Sequence, residues 1–300
     1  VACGGRVVPN PAYYCQTLQY NCNATGLTQF SMPAQCTAVT AAYPTSSADS
    51  AVATNAQTNT LGCRSYHAQA ALTDTSHCAH AGPSGGHFCG TYAEAWASIV
   101  KAAPCNDTAT YTFLAALGPN ADAAVPVGSA PYSVNLPDTA NNTQACRIYH
   151  LGVASTDPSH CDHTDLTGGD ICGTTTGNLC DIIGGVCGWG TNATYQYANR
   201  AACLAGLNNT LAGTPGDSTG NTLACRYYHV GVAGSFKNGS IQGNATGAMD
   251  SLINHCSHVI AVPLAGCAAG STAPTASMTS SASAVALMVP AALAVASFLM

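Results

Sequence analysis

The chain has 300 residues, a formal net charge of −6 and only 7% charged residues, with seven Lys and Arg in all. Cations this few and scattered exclude a nucleic-acid phosphate track, which needs clustered positive charge, and no GxGxxG or Walker-type loop is present to cradle a nucleotide. Seventeen cysteines far exceed cytosolic usage and indicate disulfides made in an oxidising compartment; the length suits two or three domains.

In chain order, an N-terminal segment (1–21) carries Cys3 and Cys15, and the chain opens at Val1. A signal peptide is therefore expected to be removed or to lie outside the sequence. Three repeats follow, over 22–104, 105–186 and 187–267. Each opens with a cysteine and a sequon: Cys22 with Asn23, Cys105 with Asn106, Cys187 with Asn192. Further sequons stand at Asn141, Asn208, Asn238 and Asn244, and glycans there would solvate a surface that has few charges to do so.

Each repeat then carries "NTLGCRSYH" (59–67), "NTQACRIYH" (142–150) or "NTLACRYYH" (221–229), followed by "HCAH" (77–80), "HCDH" (160–163) or "HCSH" (255–258). Cys63, Cys146 and Cys225 lie 83 and 79 residues apart, and the next cysteine is 15, 15 and 31 residues on. The third repeat thus holds a 16-residue insertion around "GSFKNGSIQGNATGAM", expected to be an exposed loop. A last cysteine, Cys89, Cys172 or Cys267, follows 11 residues later in every copy. Spacing this regular marks internal duplication. Four cysteines recur per repeat: Cys22, Cys63, Cys78, Cys89; Cys105, Cys146, Cys161, Cys172; Cys187, Cys225, Cys256, Cys267. Two bridges per repeat would use them all, in any of three connectivities. Cys36, Cys180 and Cys203 stand outside this set, and an odd total leaves at least one thiol without an intramolecular partner.

The local pattern is helical. Cys63, His67 and Ala71 share a helix face, with Asn59 or Thr60 as N-cap. In "TYAEAWASIVKAA" (91–103), Thr91 and Glu94 form a capping box ahead of an apolar stripe through Trp96, Ile99 and Val100. Asp157 and Pro158 start a helix at "HCDH", and "TYQYANRAACLAGL" (194–207) reads as another helix. The expected fold class is mainly α, as small disulfide-rich helical modules in tandem repeat.

The pattern NT-x-x-CR-x-YH … HC-x-H … C, with "AGPSGGHFCG" after the first copy, resembles a cysteine-rich repeat of secreted or surface proteins over roughly residues 22–267. The second copy keeps "TGGDICG" and the third departs to "VIAVPLAGC". The resemblance supports the repeat parsing and implies no activity.

Nine of the ten histidines fall three to a repeat: His67, His77, His80; His150, His160, His163; His229, His255, His258. Only His87 lies outside the scheme. In His-Cys-x-His both rings project to one side of a helical turn, and a disulfide from the intervening cysteine can bring the Cys-Arg-x-Tyr-His helix alongside with a third imidazole. Three imidazoles suit Zn(II) or Cu(II). The competing account is structural: histidine, tyrosine and arginine capping carbonyls around a bridge in a small core. A zinc knuckle of Cys63, His67, Cys78 and His80 needs thiolates, which an oxidising exterior consumes. Haem attachment lacks its Cys-x-x-Cys-His. Catalysis has no recurrent triad or free thiolate behind it, so no catalytic residue is assigned. Arg64, Arg147 and Arg226 are expected to have fixed partners: a carbonyl cluster, or Asp74 or Asp157. Tyr66, Tyr149 and Tyr228 precede the histidines.

Residues 268–282 form a Ser/Thr-rich stalk, and "SAVALMVPAALAVASFLM" (283–300) an uncharged apolar tail. Small residues, polar spacer and terminal tail follow the pattern of a GPI-attachment signal, with Gly270 or Ser271 at the attachment site; as a membrane helix the tail is short. The expectation is a GPI-anchored, N-glycosylated surface protein contacting the membrane through its lipid, cell-wall or surface partners, and no nucleic acid. Its role is structural or interactive, or else the binding of copper or zinc.

Overall fold

The computed structural model describes residues 10–268 except 24–25, 45–57, 129, 131, 136–138, 191, 193–195, 238–244 and 261–266. The fold is mainly helical; among the described residues there is no strand, only an isolated bridge between Leu211 and Thr222. In chain order the helices are α1 (Pro11–Cys22), α2 (Pro33–Thr40), α3 (Leu61–Ala70), α4 (His77–Ala81), α5 (Tyr92–Lys101), α6 (Thr108–Leu117), α7 (Ala121–Ala124), α8 (Gln144–Ala154), α9 (Thr175–Cys187), α10 (Arg200–Leu207), α11 (Leu223–Lys237) and α12 (Ala245–Ser257). At "HCDH" the chain makes a 3₁₀ turn, Pro158–His163, with Asp157 as its cap and Pro158 in its first position.

One three-part arrangement recurs. A lead helix (α1, α5, α9) packs on a Cys-Arg helix (α3, α8, α11), which packs on the His-Cys-x-His segment (α4, the 158–163 turn, α12). Cap chemistry sets the starts. Thr60, Thr143 and Thr222 each accept a hydrogen bond from the backbone N–H of Cys63, Cys146 or Cys225. Thr91 and Glu94 close a full capping box on α5, whose Trp96, Ile99 and Val100 are buried. Of the expected 194–207 helix, the described residues hold Arg200–Leu207 as helix and 196–199 as irregular chain. Asn199 caps Ala202 and helix begins only at Arg200, because Tyr197 turns inward and donates its hydroxyl to the Val259 carbonyl.

Eight disulfides staple this frame. Of the three open connectivities the structure takes first-to-third and second-to-fourth each time: Cys22–Cys78 with Cys63–Cys89, Cys105–Cys161 with Cys146–Cys172, Cys187–Cys256 with Cys225–Cys267. The cysteine between the two histidines therefore ties its segment to the lead helix or the residues just after it, and the Cys-Arg helix is bonded instead to the cysteine that closes the module. Cys15–Cys36 and Cys180–Cys203 each join a lead helix to the helix after it, α1 to α2 and α9 to α10. Cys3 lies outside the described residues. Eight bridges in a chain with this little charge point to an oxidising environment.

The buried cluster is continuous across all three repeats, from Tyr14 to Ile260. Trp96 is its largest fully buried side chain; its indole N–H donates to the Thr164 carbonyl at 2.8 Å. Trp96→Ala should cost about 3–5 kcal/mol through the cavity and the stranded carbonyl. Urea unfolding under non-reducing conditions checks this; a midpoint matching the parent would refute it.

Candidate metal centre: three histidine triads

The site is built by the Cys-Arg helix. Cys63, Arg64 and His67 sit on the buried side of α3, and their counterparts do so on α8 and α11. The arginines are among the most deeply buried side chains of the molecule. Arg64 donates to the carbonyls of Thr60, Gly82 and Pro83, and Arg147 to those of Thr143, Asp165 and Leu166. Arg226 donates to the carbonyls of Thr222 and Ile260 and the side chain of Asn221. Each guanidinium thus joins its own helix start to the chain just past the histidines. Burial pulls Arg147 down to about 10, which still leaves it charged at neutral pH. Asp74 and Asp157, named above as possible partners, instead accept from Ser76 and Ser159 in exposed turns. A buried guanidinium is better served by fixed carbonyls than by a carboxylate that hydration holds at the surface.

A second set of anchors holds the same segment. The carbonyl immediately after the second histidine accepts from Tyr14 at Ala81, from Trp96 at Thr164 and from Tyr197 at Val259. Arg64 also stacks over Tyr43, and Arg147 over Trp96. Past the histidines in the first two modules comes a run of three left-handed residues, Gly85–Gly86–His87 and Gly168–Gly169–Asp170. A Cβ on Gly86 would lie 2.9 Å from the Ala79 carbonyl carbon and 3.1 Å from the His80 ring; one on Gly169 would lie 2.6 Å from the Asp162 oxygen. Glycine is needed there for both φ and space.

The histidines converge. His67 Nδ1 lies 2.7 Å from His77 Nδ1. His150 Nδ1 lies 2.9 Å from His160 Nδ1 and 3.3 Å from His163 Nδ1. His229 Nδ1 lies 2.9 Å from His255 Nδ1 and 3.1 Å from His258 Nδ1. Zinc bonded tetrahedrally at ~2.0–2.1 Å spaces its nitrogens about 3.3 Å apart, so these separations are close to those of a shared metal. His87 lies outside the triads, its ring tilted against Tyr92.

Two details bear on protonation. His150 Nε2 donates to the Thr139 carbonyl at 3.0 Å and His229 Nε2 to the Ser218 carbonyl at 3.1 Å. Both acceptors stand 11 residues before their histidine, and in a neutral ring such a bond leaves the Nδ1 lone pair free. His80 Nδ1 is buried with no hydrogen-bond partner. Burial, reinforced by neighbouring histidines, holds His67 and His229 down at about 4, and burial also lowers His80, His150, His255 and His258. These imidazoles are neutral at pH 7, the form in which they ligate.

His/Cys groups in each module could hold a metal ion. In the groups that combine Cys63, His67 and Cys89, or Cys146, His150 and Cys172, or Cys225, His229 and Cys267, the sulfurs are bonded to one another, which leaves the three-imidazole sets as the candidate ligands. The same bonds remove the zinc knuckle: Cys63 pairs with Cys89 and Cys78 with Cys22. Tyr66, Tyr149 and Tyr228 each stand edge-on to the adjacent histidine, outside the convergence.

The surroundings of the other expected features are simple. Asn23, Asn106, Asn141, Asn192 and Asn208 are exposed, and the Asn106 amide donates to the Pro104 carbonyl. Asn238, Asn244, Gly270, Ser271 and the 283–300 tail lie outside the described residues. Among the described residues no helix is long and apolar enough to cross a membrane.

Residues 11–92 match the model of the BfoA family C-terminal domain, which is the stretch from the start of α1 to the first residue of α5. No curated protein and no solved structure matches the chain.

Because His67, His80, His150, His229, His255 and His258 refuse protons that an unfolded chain takes up below about 6.5, their contribution to stability is whole above that pH and is lost as pH falls toward about 4. The metal-free protein should therefore melt at progressively lower temperature from pH 7 to pH 4. His67→Gln should flatten part of that slope in a calorimetric series; an unchanged slope would refute the assignment.

Proposed function

We propose that this is an extracellular metal-binding protein in which each of three modules holds one transition-metal ion, copper or zinc, on three imidazole Nδ1 atoms. The observation that carries this reading is the buried His80 Nδ1. Two facing imidazoles satisfy each other with one hydrogen bond, as His67 and His77 do, but the third nitrogen is left without a partner at a cost of about 1–3 kcal/mol. A bound metal accounts for all three nitrogens at once. The backbone acceptors on His150 and His229 fit the same reading, since metal-ligating histidines characteristically donate their other ring N–H. A purely structural cluster would need neither the third convergent nitrogen nor the fixed tautomer.

The setting we infer is the cell surface. Exposed sequons at Asn23, Asn141, Asn192 and Asn208 are open to glycan attachment, and the 268–300 composition favours a GPI lipid as the membrane partner. A coat or cell-wall role is compatible with that location, and the triads give it a chemistry. The module seams are proposed to fall at the lead helices, near residues 11, 92 and 175, rather than at the opening cysteines, because α1, α5 and α9 pack on the Cys-Arg helix that follows each.

Protein purified without chelator should carry close to three metal equivalents per chain by elemental analysis. His67→Ala, His150→Ala and His229→Ala should each remove one equivalent with the bridges intact. Absence of metal, together with a melting temperature unmoved by added copper or zinc, would discard the proposal.

A further inference from the structure

The donor set is three imidazoles with no anionic ligand. Among the described residues the one His–carboxylate pair within 4.0 Å is Asp157 with the outer Nε2 of His160, 3.9 Å away. A divalent ion held there keeps both its charges uncompensated in a half-buried site. Because the solvation cost of an ion grows as the square of its charge, a monovalent ion is penalised far less.

Apolar rings deepen the effect. Phe88 stacks on His80 at 4.5 Å and meets His67 edge-on at 5.2 Å. In the third module Phe236 stacks on His255 at 5.9 Å. In the second module, Ile171 stands eight residues after His163, as Phe88 does after His80. Such a shell limits solvent and lowers the local dielectric, and outer-shell changes shift metal affinity about 10–100-fold.

Resting on the triad reading of the preceding subsection, we infer that these sites select copper in its monovalent state over zinc, and that Phe88 and Phe236 are positioning residues that set this selectivity by shielding their triads. Three convergent nitrogens suffice for a three-coordinate cuprous ion. Zinc on three histidines takes a water as its fourth ligand, which the flanking rings disfavour, and cupric ion prefers a tetragonal ring of donors that three nitrogens on one side do not make. The rings flank the convergence without offering a donor.

The full chain, stripped of metal with its bridges intact, is titrated anaerobically with the acetonitrile complex of Cu(I) against bicinchoninate. Ascorbate keeps the copper monovalent and leaves the disulfides whole. Zinc is then added in equal amount. The expected result is three cuprous ions per chain that zinc does not displace. Phe88→Ala should lower the cuprous-over-zinc preference of one site about tenfold, and Ile171→Phe should raise that of another; the second variant adds a ring at an exposed position and does not open a core. Zinc bound at three per chain and not exchanged for cuprous ion would overturn the inference and leave the triad reading standing. Neither metal binding would remove both. Preferences unchanged in Phe88→Ala and Ile171→Phe would overturn the shielding role.

Discussion

A guanidinium buried among backbone carbonyls is the contact on which each module depends. Arg64, Arg147 and Arg226 are three of the seven cations in the chain, and all are sunk in the interior. Each spends its donors on oxygens from two places at once: the start of its own helix and the turn past the second histidine. A lysine has no planar fork to span both. This contact draws the His-Cys-x-His segment against the Cys-Arg helix and so delivers the third imidazole to the other two. Cystine bridges limit the unfolded chain, but the arginine and the aromatic donors at Ala81, Thr164 and Val259 decide how the segment lies.

Much of this is written locally. The threonine caps, the capping box on α5 and the proline-led turn at 158 are short-range signals, and each appears where its residues require it. The mainly helical, disulfide-stapled class follows from the same signals and the cysteine count. What stays hidden depends on contacts distant in sequence. The choice of bridge partners is one case, since several pairings are compatible with one spacing. Tyr14 and Trp96 are another: they come 67 and 68 residues before the carbonyls they hold. Nothing in the words "AYYC" or "AEAW" names those acceptors. The acceptors at Thr139 and Ser218 carry no side-chain signature, because the contact is made by backbone; only their constant offset of 11 residues could have disclosed them. The 194–207 stretch has helical composition, yet the pull of Tyr197 into the core outweighs the propensity of its first turn.

The third module shows what the arrangement tolerates. Its insertion lengthens the path from the Cys-Arg cysteine to the cysteine between the histidines from 15 to 31 residues, and α11 and α12 take up part of the extra length as longer helices packed on one another. The Gly-Gly turn is missing from its sequence as well. Even so, His229, His255 and His258 meet at the same Nδ1 separations as their counterparts. Convergence of the rings is therefore a property of the helix, its arginine and the crossed bridges, and the connecting chain is free to vary.

The crossed bridges have a topological consequence. Between Cys15 and Cys267, the eight bridges together span every peptide bond except those of two windows, 90–104 and 173–179, which hold all of α5 and the first turn of α9. A protease that nicks the chain anywhere else in that span leaves two pieces still covalently one molecule. Where a single cut can part it, helix and burial guard most of the backbone, and the exposed points are the end of α5 at Lys101 with the Ala103–Pro104 that follow, and Thr174 just before α9. Durability against digestion therefore comes down to these two short stretches.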